Sequence, residues 1–216
     1  GEAELVAQTL RAGADDFIRK PFRFEELLAR VEACLRVNHL HRELMEANKK
    51  LQGLVERDYL TGLFNMRSMY QRIDHEIRRT RRYGGKLACV MMDMDHFKTV
   101  NDANDHLFGS FVLKEVGSLL SRHIRDVDYA ARYGGDEFLM VLTACDENGA
   151  REFCERIRGV ILKHHFKDDD NEIRLTVSLG FAVSSGTADV DARALVRQAD
   201  HALYRAKAKG RNCISD

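Results

Sequence analysis

The stretch Arg132-Tyr133-Gly134-Gly135-Asp136-Glu137-Phe138 places two glycines and two carboxylates between two strand-like segments. Residues 127–133 mix β-formers with small residues, and residues 138–142 form an apolar run of strand length. A Gly-Gly pair suits a tight hairpin turn, and the missing Cβ atoms let a ligand approach the backbone. Two interpretations of this stretch alone stay open: a hairpin with a solvated acidic tip, or a site for a divalent cation.

The composition is typical of a globular chain with room for one packed domain and a smaller element. Of its 216 residues, 44% are hydrophobic and 31% are charged. Basic and acidic residues both number 34, which argues against a general binder of nucleic acid or of membrane surfaces. The five cysteines form no CxxC pair, so we expect isolated thiols in a reducing compartment. We find no membrane-spanning stretch or signal peptide and expect a cytoplasmic protein.

A second acidic segment follows another strand candidate. Residues 86–92 form an apolar, β-leaning run that leads directly into residues 93–98, Asp-Met-Asp-His-Phe-Lys. Carboxylates at the end of a strand suit a metal, and a lysine with exposed amides at a helix start suits a phosphate. If the two strands pair, Asp93 and Asp136 meet at one end of the sheet. Hard oxygen ligands with Lys98, Lys207 and Arg211 nearby indicate Mg²⁺ or Mn²⁺ on a triphosphate, the equipment of phosphoryl or nucleotidyl transfer.

The hydrophobic pattern predicts helices on either side of these strands. The predicted helices cover about 65–82 with Asn65 as N-cap, 107–123, 148–165, and 191–208 with Gly210 at the end. One further strand is predicted over 173–184. The helix over 37–57 carries apolar residues at alternating three- and four-residue steps, which predicts a dimeric coiled coil. The alternative is a single amphipathic helix that packs on the domain.

Residues 58–214 resemble the GGDEF-domain family of diguanylate cyclases. Four motifs carry the resemblance: DYLTGLFN (58–65), DMDHFKTVND (93–102), RYGGDEF (132–138) and AKAKGRN (206–212). The implied fold is α+β, a nucleotidyl-cyclase palm with a ferredoxin-like antiparallel sheet and flanking helices, preceded by a long linker helix. Residues 1–36 resemble the C-terminal end of a response-regulator receiver domain. The implied organisation is a receiver remnant (1–36), a linker helix (37–57) and a cyclase domain (58–216).

The family resemblance implies a role for each matching residue. The implied ligands of Mg²⁺ or Mn²⁺ are Asp93, Asp136, Glu137 and the Met94 carbonyl. Asp136 would also accept the proton of the ribose 3′-OH, and Glu137 would complete the catalytic site. The implied phosphate contacts are Phe97, Lys98, Lys207 and Arg211. Asn101 and the residue at position 110 would read the base.

The resemblance further implies a homodimer that joins two nucleoside triphosphates into a cyclic dinucleotide for bacterial signalling. Each copy would bind one GTP, and the coiled coil would bring the two half-sites together. Arg125 and Asp128 match the family's RxxD site, where the cyclic dinucleotide product would inhibit the enzyme. The alternative is a catalytically silent domain that binds nucleotide or product as a signalling module.

Two positions depart from the family pattern: Asp105 stands where glycine is usual, and Ser110 stands where aspartate is usual. We draw no consequence from Asp105. The usual aspartate accepts hydrogen bonds from guanine, whereas a serine hydroxyl both donates and accepts and so also suits adenine. Ser110 therefore makes the chain similar to the hybrid subset of the family, which uses ATP beside GTP and makes 3′,3′-cyclic GMP-AMP beside cyclic di-GMP.

Overall fold

The structure is a computed structural model of the chain. It describes residues 20–54, 56–103, 106–168, 171–185 and 190–216, with single positions 4, 8, 13, 16 and 18 before them. Position 105 lies outside the described residues, as do the side chains of 44, 46–54, 101, 103 and 106. The chain divides into two compact units, residues 1–55 and 56–216, which are described separately.

In the first unit, helix α1 spans Phe24–Leu54 and continues through the predicted boundary at residue 36. At 1.5 Å per residue it is about 46 Å long. Val37 and Leu40, the first two positions of the predicted seam, are exposed. None of the helices in the described ranges is long and apolar enough to cross a membrane.

The second unit contains the remaining elements: α2 (Met66–Tyr83), β1 (Leu87–Met94), α3 (Phe97–Ala103), α4 (His106–His123), β2 (Tyr129–Gly134), β3 (Glu137–Thr143), α5 (Glu147–Lys163), β4 (Phe166–Lys167), β5 (Glu172–Ile173), β6 (Val177–Ser184), α6 (Ala192–Ala208) and β7 (Ile214–Ser215). Five of the described strands form one sheet in the order β2-β3-β1-β6-β7, and β4 pairs with β5. All pairings are antiparallel except that of β6 with β7. The predicted α+β fold, an antiparallel sheet with flanking helices, is confirmed.

The central strand β1 is buried on both faces, which explains its continuous apolar sequence. Ala88, Val90 and Met92 pack with α4 and α5, whereas the alternate residues of β1 pack with α2 and α6. Because successive side chains of a strand point to opposite faces, Asp93 continues the row that faces α6. This alternation decides which helix meets the acidic end of the strand.

Gly180 lets helix α6 lie directly on the backbone of β6. A Cβ atom at this position would overlap the backbone of Leu203 and crowd that of Ala199. At its far end, α6 is followed by Gly210 with φ 109°, as the predicted helix end requires. The last turn of α6 is therefore held at a fixed height above the sheet.

The predicted strand over 173–184 is wrong as one element. Ile173 ends β5, which pairs with β4, and β6 begins only at Val177. Between them the Thr176 carbonyl accepts a hydrogen bond from Asp95 N at 2.9 Å. A segment rich in apolar and β-branched residues concealed this change of partner, because local propensity carries no information about which strand is paired.

Candidate active site

The Gly-Gly stretch forms the hairpin predicted between β2 and β3. Gly134 pairs with Glu137, and Gly135 adopts φ 50°, which favours glycine. The Arg132 guanidinium donates to the Gly135 carbonyl from Nε at 3.0 Å and from Nη2 at 2.8 Å. The turn is thus held by a side chain of its own strand.

The hairpin brings the two acidic segments together. Asp93 lies opposite Glu137 in the register of β1 and β3. Met94 N donates to the Asp136 carbonyl at 3.3 Å, so the end of β1 contacts the turn itself. The four residues proposed to hold a metal therefore occupy one edge of the sheet.

The last turn of α6 adds a cation to this edge. Lys207 Nζ lies 2.7 Å from Asp93 Oδ2, and the Asp93 side chain is 11% exposed. Arg211 follows in the loop after the helix and is exposed, with φ 63°. The structure thus joins the AKAKGRN motif to the DMD motif, more than 100 residues apart.

Two carboxyl groups at this site, those of Asp93 and Glu137, have raised pKa values. Burial raises the pKa of Asp93, Lys207 opposes this rise, and the nearby Asp136 adds to it. Burial also raises the pKa of Glu137, and the charge of Asp93 contributes next. Crowded carboxylates of this kind are stabilised by a divalent cation.

The donor set fits Mg²⁺ or Mn²⁺. Carboxylate and carbonyl oxygens are the ligands that these cations prefer. Within the described part of the chain, no three His, Cys, Asp or Glu side chains already stand at metal-ligand spacing. Asp93 instead holds the Lys207 ammonium, so a cation bound to that oxygen would take the place of Lys207.

The proposed phosphate and base contacts lie on the two helices after β1. Phe97 is buried at the start of α3, and Lys98 beside it is exposed. Asn101 lies in α3, and its side chain is outside the described residues. Ser110 lies in α4 and is half-buried.

Arg125 and Asp128 line a separate cavity of about 370 Å³ near the other end of β3, where Leu142 also lines it. Glu137 and Leu142 are about 17 Å apart along the strand. The Asp128 carboxylate is buried and accepts from Thr143 N at 2.9 Å and from Thr143 Oγ1 at 3.3 Å. Asp128 is therefore also a structural acceptor.

The same cavity contains two cations that the sequence analysis did not select, Lys86 and Arg156. Arg156 Nη2 donates to the His123 carbonyl at 3.1 Å, which fixes its guanidinium beside the cavity. Arg156 lies within a charged helical segment, and no local pattern separates it from solvated arginines. Only the packing of α5 on the sheet reveals its place.

Comparison with known proteins identifies the family. The family model described as "Diguanylate cyclase, GGDEF domain" matches residues 55–213. The chain belongs to the GGDEF-domain family. It is similar to diguanylate cyclase DgcP of Pseudomonas aeruginosa, with 34% identity over 94% of this chain and 31% of DgcP. It is also similar to the response regulator PleD of Caulobacter vibrioides, with 30% identity over 97% of this chain and 46% of PleD.

The GGDEF chain thus spans less than half of the length of each of these two relatives. Among solved structures it resembles the coiled coil and GGDEF domain of DgcB from Caulobacter crescentus in complex with c-di-GMP. That likeness has a TM-score of 0.70 and 27% identity, and it covers 88% of this chain and 98% of the other.

Proposed function

We propose that this chain is a nucleotidyl cyclase that condenses two nucleoside triphosphates into a 3′,5′-linked cyclic dinucleotide. The observation that carries the proposal is the meeting of Asp93, the Asp136 turn and Lys207 at one sheet edge. Family membership supports the reaction class, and the similar DgcP protein is named a diguanylate cyclase. The substrates are two GTP, or GTP with ATP.

The reaction forms one bond and breaks one bond at each α-phosphate. The ribose 3′-oxygen of one nucleotide attacks the α-phosphorus of the other, and the bond to the β-phosphate oxygen breaks. Asp136 accepts the 3′-OH proton, Glu137 completes the acidic site, and pyrophosphate leaves. The second nucleotide reacts in the same way, so two pyrophosphates are released for each product.

Mg²⁺ or Mn²⁺ would supply charge neutralisation at the triphosphate, held by Asp93, Asp136, Glu137 and the Met94 carbonyl. Positively charged side chains of the protein bind the phosphates beside the metal. Lys98 and the Phe97 backbone bind phosphate at the start of α3, and Lys207 and Arg211 bind the distal phosphates from the end of α6.

A single domain holds one nucleotide, so two copies must face each other. The exposed Val37 and Leu40 of α1 support a coiled coil between two copies, which gives the half-sites a high effective concentration. The resemblance to the coiled coil and GGDEF domain of DgcB over 88% of this chain also favours this arrangement. The likeness to a response regulator supports the assignment of residues 1–36 to the C-terminal remnant of a receiver domain and of residues 37–57 to a linker helix.

Ser110 sets the base preference. Its hydroxyl accepts from guanine and donates to adenine, whereas an aspartate would favour guanine by about 1–3 kcal/mol. Asn101 reads the same base edge. We therefore place the chain in the hybrid subset, whose products are cyclic di-GMP and 3′,3′-cyclic GMP-AMP.

Product binds at the cavity of Arg125 and Asp128 and restrains the enzyme. The cavity's further cations, Lys86 and Arg156, suit the two phosphates of a cyclic dinucleotide. The c-di-GMP complex of the similar DgcB domain supports this ligand class.

The test supplies the purified chain with Mg²⁺ and equimolar ATP and GTP and resolves the products by liquid chromatography and mass spectrometry. We expect both cyclic dinucleotides from the wild type and neither from Asp136→Ala. Cyclic di-GMP as the sole product would remove the hybrid assignment. Nucleotide binding with no product would instead indicate the silent signalling module.

A further inference from the structure

Asp95, the second aspartate of the DMD motif, is buried beyond the end of β1. Its Oδ1 accepts from Ser178 Oγ at 2.7 Å, and its Oδ2 accepts from Thr176 Oγ1 at 2.7 Å and from Asn212 N at 3.0 Å. The side chain therefore links β1 to β6 and to the loop after α6. Both carboxylate oxygens are engaged by donors of the chain itself.

The loop that Asp95 contacts has an unusual backbone. Arg211 and Asn212 adopt φ 63° and 45°, a left-handed region that residues with a Cβ seldom occupy. Such conformations persist where the surroundings hold them in place. Among the described residues, Asn212 is contacted by the Asp95 carboxylate and by Arg158, whose Nη1 donates to Asn212 Oδ1 at 3.1 Å.

Asp93 and Asp95 contact the C-terminal segment at two successive places. Asp93 binds Lys207 in the last helical turn, and Asp95 binds the amide that directly follows Arg211. The end of the strand that carries the proposed metal ligands thereby holds the last turn of α6 and the loop after it, the segments that carry Lys207 and Arg211. A displacement of these cations weakens their charge-assisted contacts with phosphate.

We infer that Asp95 is a positioning residue, which holds the Arg211 loop in the geometry that binds the distal phosphates of the nucleotide. The inference rests on the proposed function, because it uses the assignment of Arg211. The competing assignment makes Asp95 a further metal ligand beside Asp93. The contacts argue against it, since moving the carboxylate to a metal would leave the buried Ser178 hydroxyl and the Asn212 amide without their acceptor.

Two substitutions at position 95 separate the roles of shape and charge. Asp95→Asn keeps one oxygen for Asn212 N, and its amide can donate to the Ser178 hydroxyl, which can accept. Asp95→Ala leaves the Asn212 amide unpaired. We expect Asp95→Ala to weaken binding of 3′-deoxy-GTP, which cannot react, by about tenfold in Mg²⁺, and Asp95→Asn by less than about threefold.

The steady-state parameters supply a readout that a general loss of stability does not move. We expect Asp95→Ala to raise the KM for GTP by about tenfold and to change kcat by less than about threefold. A metal ligand would behave differently, because Asp95→Asn would then lose activity as completely as Asp95→Ala. A matched control is Asp191→Ala, which removes the carboxylate that caps the opposite end of the same helix. Its KM should stay at the wild-type value.

A double-mutant cycle with Arg211→Ala tests whether Asp95 acts through that side chain. We expect Asp95→Ala to weaken binding less than about twofold further once Arg211 is absent. Arg158→Ala provides a second test from a partly exposed position, should Asp95→Ala fold poorly. It removes the other side-chain contact of Asn212 and should weaken binding about threefold, again only when Arg211 is present.

The outcomes are distinguishable. Wild-type affinity in both Asp95→Ala and Arg158→Ala, or losses that add fully to that of Arg211→Ala, would overturn the inference and leave the proposed function intact. Failure of the wild-type chain to bind 3′-deoxy-GTP in Mg²⁺ would overturn the proposed function, and the inference with it. Coupled losses with rescue by Asp95→Asn support the inference.

Discussion

Lys207 Nζ and Asp93 Oδ2 lie 2.7 Å apart and join the last turn of α6 to the end of the central strand β1. The contact shows that the edge of the sheet already attracts a cation. It also means that the proposed metal and the proposed phosphate ligand share one carboxylate. Metal binding at Asp93 would release Lys207 toward the phosphates, so the two events are coupled by charge.

Glu137 should destabilise the ligand-free fold at neutral pH. Burial, followed by the charge of Asp93, raises the pKa of Glu137 in the folded state above its usual value of 4.5. The protonated side chain therefore makes a favourable contribution to the free energy of unfolding below that usual value. That contribution is lost as the pH rises through the raised pKa, because the folded state then holds the less favoured carboxylate. We expect Glu137→Gln to increase the free energy of unfolding at pH 7 by less than about 1 kcal/mol, given solvent screening.

Urea denaturation of both proteins at pH 4 and pH 7 measures this effect, and the difference should appear only at pH 7. Mg²⁺ should raise the melting temperature of the wild type more than that of Glu137→Gln. A Glu137→Gln chain less stable than wild type at pH 7 would contradict the charge assignment at this edge.

Ser110→Asp should restore guanine selectivity. The carboxylate accepts from guanine and has no proton to donate to adenine, so ATP incorporation should fall by about tenfold or more. The ratio of 3′,3′-cyclic GMP-AMP to cyclic di-GMP from equimolar ATP and GTP measures the change. Ser110→Ala is the control, because it removes the hydroxyl without adding charge. An unchanged ratio in Ser110→Asp would show that position 110 does not read the base.

Arg125→Ala should weaken product binding at the 370 Å³ cavity without loss of stability, because Arg125 is exposed. Loss of a charge-assisted phosphate contact corresponds to about tenfold or more in affinity. Asp128→Ala should also lower the free energy of unfolding, by about 1–3 kcal/mol, since it leaves the buried Thr143 amide unpaired. Calorimetric titration with cyclic di-GMP and thermal melts separate the two effects. Equal product affinity in Arg125→Ala and wild type would exclude this cavity.

Gly180→Ala should disrupt the packing of α6 on β6. The added Cβ would overlap the Leu203 backbone, and an overlap with backbone atoms costs about 3 kcal/mol or more. Gly159→Ala is the matched control, since a Cβ there meets nothing within 4 Å in the middle of α5. That change should stabilise the chain by about 0.5–1 kcal/mol. Denaturation curves would contradict this account of α6 if the two variants behaved alike.

Local sequence was sufficient where a feature depends on neighbouring residues. The Gly134-Gly135 turn, the Asn65 cap that accepts from Ser68 N, and the helix over 107–123 all follow from short-range patterns. The expected site residues came from the resemblance to the family. The division of residues 173–184 was missed, because the choice between pairing with β4 and with β1 is a tertiary matter.

Tertiary packing also explains why the sequence did not indicate the places of Asp95 and Arg156. Asp95 resembles Asp93 in the motif, yet its carboxylate contacts Thr176, Ser178 and Asn212. Arg156 reaches the cavity of Arg125 only because α5 packs beside it. Neither placement has a periodic or compositional signal, since both depend on segments brought together by the sheet.

Cyclic dinucleotide synthesis is tested most directly by following pyrophosphate and cyclic dinucleotide together while the chain turns over GTP with Mg²⁺. We expect two pyrophosphates for each cyclic product and a rate that rises faster than linearly with protein concentration until the dimer is saturated. Both signals should disappear in Asp136→Ala. Bound GTP with no pyrophosphate released by the wild type would contradict the proposed synthesis.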